Sequence, residues 1–233
     1  MHVDDKIAKA MIGDLTRSKD NVVQNPFPEG QELVKVAHDA ATHFSYSTRF
    51  RKLCEFSNLV SGGAPKTRLQ NDKCTTRVSA RGNMVRSVIR MHKPLGLYGI
   101  AKPETPPAKL TRASFEALAE IDGLMKISSV VCVLDQTEFL LVHALGHPIH
   151  DRMLLKYRSS TVDVIDLPKV TASPIMVKKA KNIADFSSVG LEAKRRGTLE
   201  VRSRDSSRAR LLVRRLVVDA PMFVCLVVDL SCA

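Results

Sequence analysis

The chain has 233 residues, 44% of them hydrophobic, and its 36 Lys/Arg against 24 Asp/Glu give a formal net charge of +12. Ordinary apolar content without long low-complexity tracts excludes a disordered chain, and the length admits one core with an appended helical segment or two small domains. A positive excess of this size favours polyanions: nucleic acid, an anionic membrane surface or an acidic protein.

The opening "MHVDDKIAKAMIGDL" carries Asp4 and Asp5 where a secretory signal would be basic, so no export signal is read. Ile7, Met11, Ile12 and Leu15 recur at three-to-four spacing and predict a helix over 3–17. "EGQELVKVAHDAATHF" (29–44) follows Pro26 and Pro28 and sets Leu33, Val36, Ala37, Ala40 and Ala41 on one stripe. "STRFRKLCEFSNLV" (47–60) continues the pattern, which makes 1–60 a helical segment. Gly62-Gly63 then opens a stretch of loop composition, and 61–74 is assigned to a linker ahead of an α+β core domain over 75–233.

"TTRVSARGNMVRSVIRM" predicts a hairpin about Gly82-Asn83, and "PLGLYGIAKPETPPAK" (94–109) a proline-rich connection. "SFEALAEIDGLM" (114–125) is a short helix with Ser114 as N-cap. The apolar runs "ISSVVCVL" and "TEFLLVHA", parted by Asp135-Gln136, predict a central hairpin, whereas "MLLKYRSSTVDVIDL" shows no clear element. Residues 173–197 read as one helix from Ser173-Pro174 to Gly197, or two broken near Ser187-Ser188. Three strands close the chain at 198–204, 208–218 and 222–230, antiparallel because "RDSSR" and "DAP" are too short for a crossover helix. Leu211, Val213, Val217, Val224 and Leu226 are their expected core residues. The apolar run 216–233 is short for a bilayer span and interrupted by Asp219, Pro221 and Asp229, so it reads as buried strands rather than a transmembrane segment. The whole is α+β: N-terminal amphipathic helices followed by a largely antiparallel sheet with one or two covering helices.

Five cysteines, Cys54, Cys74, Cys132, Cys225 and Cys232, form no C-x-x-C pair, which points to buried thiols in a reducing, intracellular compartment, cytoplasmic or nuclear. Residues that could do chemistry concentrate in "LLVHALGHPIHD". His143 and His147 have the i,i+4 spacing of a zinc-binding helix, but Gly146 separates them and Pro148 disfavours helical geometry at His147. With His150 and Asp151 they read as a strand-end turn, so neither a metal nor a catalytic role is assigned. Phosphate-loop, dinucleotide-fold and nucleophile-elbow motifs are all missing, and no cofactor is implied.

The charge is uneven along the chain. Residues 61–110 hold ten Lys/Arg against two Asp/Glu and 171–233 hold twelve against six, whereas 1–60 hold eight of each and 111–170 six against eight. In the first basic block, Arg77 and Arg81 share one strand face, and Arg86 and Arg90, four apart, coincide on a strand or a helix. In the second, "VRSRDSSRARLLVRR", Arg202 and Arg204 precede a turn at Asp205-Ser206-Ser207, and Arg208, Arg210 and Arg214 alternate with Ala209, Leu211 and Val213. A planar guanidinium binds phosphate through two parallel hydrogen bonds. Any one of these arginines is more simply a solvated residue paired with an acid such as Glu200; the surplus of the set is what points to a binding surface.

These features describe a nucleic-acid-binding structural protein that contacts the RNA or DNA backbone and self-associates, of the kind found in viral coats, movement proteins and other nucleoproteins. The nine arginines named above form its expected surface. Without Trp, and with no aromatic residue in either arginine block, base stacking is not expected. Two readings compete: a peripheral, matrix-type assembly protein on an anionic membrane, and an enzyme using His143, His147 and Asp151.

Overall fold

A computed structural model describes residues 2–13, 27–61, 68–71, 78–136, 151–170 and 177–219. The chain is α+β with helices predominating. In order come α1 (His2–Met11), α2 (Pro28–His43), α3 (Ser47–Ser61), α4 (Val78–Arg90), α5 (His92–Ala101), α6 (Arg112–Gln136), α7 (151–158), β1 (Thr161–Ile165), β2 (Lys178–Asn182) and α8 (Ser188–Asp219).

The first three helices follow their sequence pattern. Pro28 opens α2, where its fixed φ suits the first turn and its missing N–H costs nothing, and Val34, Ala37, Ala40 and Ala41 face the core. The helix α6 organises that core. It runs 25 residues and is packed by α4, α1, α8 and β1, so Leu118, Ala119, Ile121 and Leu124 are all buried although they point in different directions. A helix covered on several sides has no polar stripe.

This explains one correction: "ISSVVCVL", expected as a strand, continues α6. Its β-branched run favours a strand locally, but an apolar run without charged interruptions has no period by which to tell the two apart. The hairpin expected over 75–91 is likewise replaced by α4, in which Gly82-Asn83 sit mid-helix. Met84 and Val88, with Val85 and Ile89, are buried pairs four apart, which is helical spacing. The strands expected at 198–204 and 208–218 are instead one continuous helix, α8, and the supposed Asp205-Ser206-Ser207 turn lies inside it. Arginine, leucine and alanine are good helix formers, and bonds from Arg195 and Arg196 to Glu192, three and four residues back, support the first turns. The helix expected over 173–197 starts only at Ser188, after β2. The strand expected at 222–230 lies outside the described residues.

The sheet is one antiparallel pair, with Thr161 opposite Asn182 and Ile165 opposite Lys178. Val162, Val164 and Ile165 are buried, whereas Lys178 and Lys179 are exposed on β2 and guard an open strand edge. Gly123 lets this pair approach α6. A Cβ there would stand 2.6 Å from the Asp163 carbonyl oxygen, so only glycine lets β1 run against the helix. Tyr157 fixes α7: buried, its hydroxyl meets Ser128 and Leu124 of α6 and Met11 of α1.

Candidate functional site

Three charged side chains leave α6 within two turns, and each meets a charged partner. Glu120, buried, accepts from Lys181 of β2, from the Ser187 amide and, at 2.6 Å, from the Ser187 hydroxyl. Ser187 in turn caps α8, its Oγ accepting from the Gly190 amide at 3.3 Å, so the Glu120 carboxylate occupies the positive end of that helix. Asp122, also buried, accepts from Arg86 of α4: Nη2 donates to Oδ1 at 3.0 Å and Nε to Oδ2 at 3.4 Å. Burial pushes the Asp122 carboxyl above the ordinary carboxylate range against the pull of Arg86, Lys126 and Lys178. The third side chain differs. Lys126 lies near another ammonium, Lys178 of β2, which with partial burial and the nearby Arg86 lowers its pKa against the pull of Asp122.

Lys126 also opens onto a cleft of about 430 Å³ between α6, α7 and β1. Arg152 and Lys156, one turn apart on α7, stand across from it. The floor is apolar, formed by Ile127, Val131, Met153 and Val162, and the β1 side presents Thr161 and Asp163. Among the described residues, no carboxylate forms an ion pair with Lys126, Arg152, Lys156 or Lys178. Three cations, Lys126, Arg152 and Lys156, therefore line one concave surface, with Asp163 as the acid in its lining.

The arginines expected to form the surface are distributed differently. Arg77 lies outside the described residues. Arg81, Arg86 and Arg90 are half-buried on α4; Arg86 is engaged by Asp122, and burial with the neighbouring Arg86 charge lowers the Arg90 pKa. Arg202 is exposed and Arg204 half-buried on α8, which also carries positions 208, 210 and 214. On a helix, positions two apart turn about 200°, so the strand alternation that put these arginines on one face does not apply; positions 204 and 208 share a face, as do 210 and 214. His143, His147 and His150 lie outside the described residues, and Asp151 is exposed at the first described position of α7. Sequence reasoning missed Lys126, Arg152, Lys156 and Lys178. The available signal was Arg152 and Lys156 at i,i+4 beside Met153 and Tyr157 at the same spacing, which marks an amphipathic turn.

A second cavity, of about 970 Å³, is lined by Leu97, Ile100, Pro107 and Phe115. In its lining Arg112 pairs with Glu116 at 3.1 Å, and the His92 Nδ1–H donates to the Ile89 carbonyl at 3.1 Å. Among the described residues, no helix is long and apolar enough to cross a membrane. Comparison with protein-family models, curated proteins and solved structures finds no match for this chain.

Proposed function

We propose that the chain is a nucleic-acid-binding structural protein that contacts the phosphate backbone. The observation that carries this reading is the cleft lined by Lys126, Arg152 and Lys156, none of which is ion-paired with a carboxylate among the described residues. Like charges held together cost free energy, which an anion placed among them returns. Successive phosphates are such an anion, and the net charge of +12 supplies the long-range field that draws a polyanion in. Arg202 and the arginines further along α8 extend the basic surface in this reading. No aromatic ring lines the cleft, which favours sequence-tolerant backbone contact over base stacking.

The test is fluorescence anisotropy with labelled RNA and DNA oligonucleotides across a salt series, beside flotation with phosphatidylserine vesicles. The logarithm of affinity should fall linearly with that of salt, by about 0.7 to 0.9 per phosphate neutralised. Lys126→Ala with Lys156→Ala should lower that slope by roughly one per lost contact, similarly for all sequences. Vesicle binding without oligonucleotide binding would overturn the reading in favour of a membrane-associated protein.

A further inference from the structure

We infer that the larger cavity, of about 970 Å³, binds the anion of a fatty acid, its acyl chain lying along α5 and its carboxylate at Lys93. This site is separate from the basic cleft and does not depend on the nucleic-acid reading. Its volume stands at the upper end of the small-ligand range of roughly 300–1,000 Å³. His92, Lys93, Gly96, Leu97 and Ile100 recur at helical spacing and share one side of α5, whereas Pro94, Leu95 and Tyr98 fill the buried side. On the cavity side Leu97 is 39% and Ile100 80% exposed, so two aliphatic side chains border an open hollow. Phe115 of α6 and the prolines at 103, 107 and 168 complete the walls. Phenyl and aliphatic side chains carry no polar atom and proline has no N–H, so these walls suit an acyl chain and offer a polar ligand body little to bond.

Gly96 marks the hollow as space kept open. It stands inside α5, where glycine is among the poorest helix formers, yet a Cβ built there would meet nothing within 4 Å. Packing therefore does not demand glycine at 96, and a side chain there would enter the cavity. Gly99 differs: a Cβ would stand 2.8 Å from the Ala108 Cα, so this glycine seats the turn Pro106–Lys109 against α5 and fixes one wall in advance.

Charge selects the head group. The lining carries Lys93, Arg112 and Glu116. Arg112 and Glu116 neutralise each other at 3.1 Å, and His92 is neutral at pH 7 because burial lowers its pKa. Lys93 is left over, since among the described residues no carboxylate forms an ion pair with it. One unmatched ammonium at the start of an apolar helix face is the complement of a monoanion with an apolar tail.

The experiment is calorimetric titration of the full chain with octanoate, decanoate and decanol, all below micellar concentrations. Decanoate should bind roughly tenfold more tightly than octanoate, from two further buried methylenes, and about fivefold more tightly than decanol, from an exposed ion pair. Lys93→Met should erase the preference over decanol and leave decanol itself unchanged. Gly96→Leu should block both ligands while the melting temperature holds or rises, because leucine is the better helix former; a glycine of merely structural use would not separate the two readouts. Ile100→Asp, at an exposed position where the fold is not at risk, should weaken decanoate more than decanol. Equal affinity for decanoate and decanol in the unmodified chain would overturn the carboxylate assignment, and decanoate binding unchanged by both Gly96→Leu and Ile100→Asp would overturn the location. No saturable binding of either ligand would overturn the site. Decanoate that displaces a bound oligonucleotide would belong to the basic cleft and overturn the inference as well.

Discussion

Replacing Arg86 by Met removes the counter-charge of a buried carboxylate. Asp122 is 4% exposed and Arg86 31% exposed, with two hydrogen bonds between them. Breaking a buried pair from one side costs about 3–5 kcal/mol, and because solvent reaches Arg86 the loss falls to roughly 2–3 kcal/mol at pH 7. For a chain of this size that lowers the melting temperature by roughly 5–10 °C. The pH dependence identifies the cause. Burial already raises the Asp122 pKa above its unfolded value, and losing Arg86 raises it further. A carboxyl with a raised folded pKa favours the fold below its unfolded pKa, near 3.9, and that contribution is lost as pH rises through the folded value. The deficit of Arg86→Met should therefore shrink as pH is lowered from 7 towards 4.5, and Arg86→Met with Asp122→Leu should recover most of it at pH 7. Urea denaturation at both pH values measures this. An equal loss at the two pH values, with no recovery in the double variant, would refute the reasoning.

Three further perturbations test the surroundings of the cleft. Lys178→Met removes the like charge facing Lys126 and, after solvent screening, should raise stability by about 0.5 kcal/mol while weakening oligonucleotide binding; a loss of stability would contradict the like-charge contact. Because the Lys126 pKa is lowered in the fold, the unmodified chain should gain stability as pH rises through that lowered value, and Lys178→Met should flatten the gain in urea titrations. Gly123→Ala places a Cβ against the Asp163 carbonyl and should cost about 1–3 kcal/mol, although alanine is the better helix former by about 1 kcal/mol; a stabilised variant would show that β1 does not sit against α6. Glu120→Ala strands Lys181 and the Ser187 donors and should cost about 3 kcal/mol in thermal unfolding, and unchanged stability would remove Glu120 from the α8 cap.

The helices α2 and α3 were legible because each is half-solvated and shows its period, as the alanine stripe of α2 does. The helices α4, α6 and α8 were not, for three different reasons. Gly82-Asn83 is a strong local turn signal that tertiary packing overrides, since Gly82 faces Ser129 of α6 with ordinary van der Waals room. The second half of α6 is β-branched and carries Lys126 as its one charge between Asp122 and Asp135, so neither propensity nor pattern marks it as helical. In α8 the arginines at 202, 204, 208, 210 and 214 are all even-numbered, and that parity imitates a strand whatever the backbone does.

The site was hidden by composition as well. Residues 111–170 hold six Lys/Arg against eight Asp/Glu and look mildly acidic, yet they supply Lys126, Arg152 and Lys156. Counting along the chain gives every charge equal weight, whereas folding removes some from the surface. Glu120 and Asp122 are buried and matched by Lys181 and Arg86, so two of the acids that balance the segment contribute little to its outer field. On α6, selection for stability alone would give Lys126 the same treatment, an acid from β2 in place of Lys178. The fold pairs Glu120 and Asp122 each with a cation at hydrogen-bond distance, whereas Lys126, between Lys178 and Asp122, has no ion pair and lines an open cleft. An unpaired cation kept at a concave position, while carboxylates on the same helix are neutralised, is what the proposed anionic ligand would use.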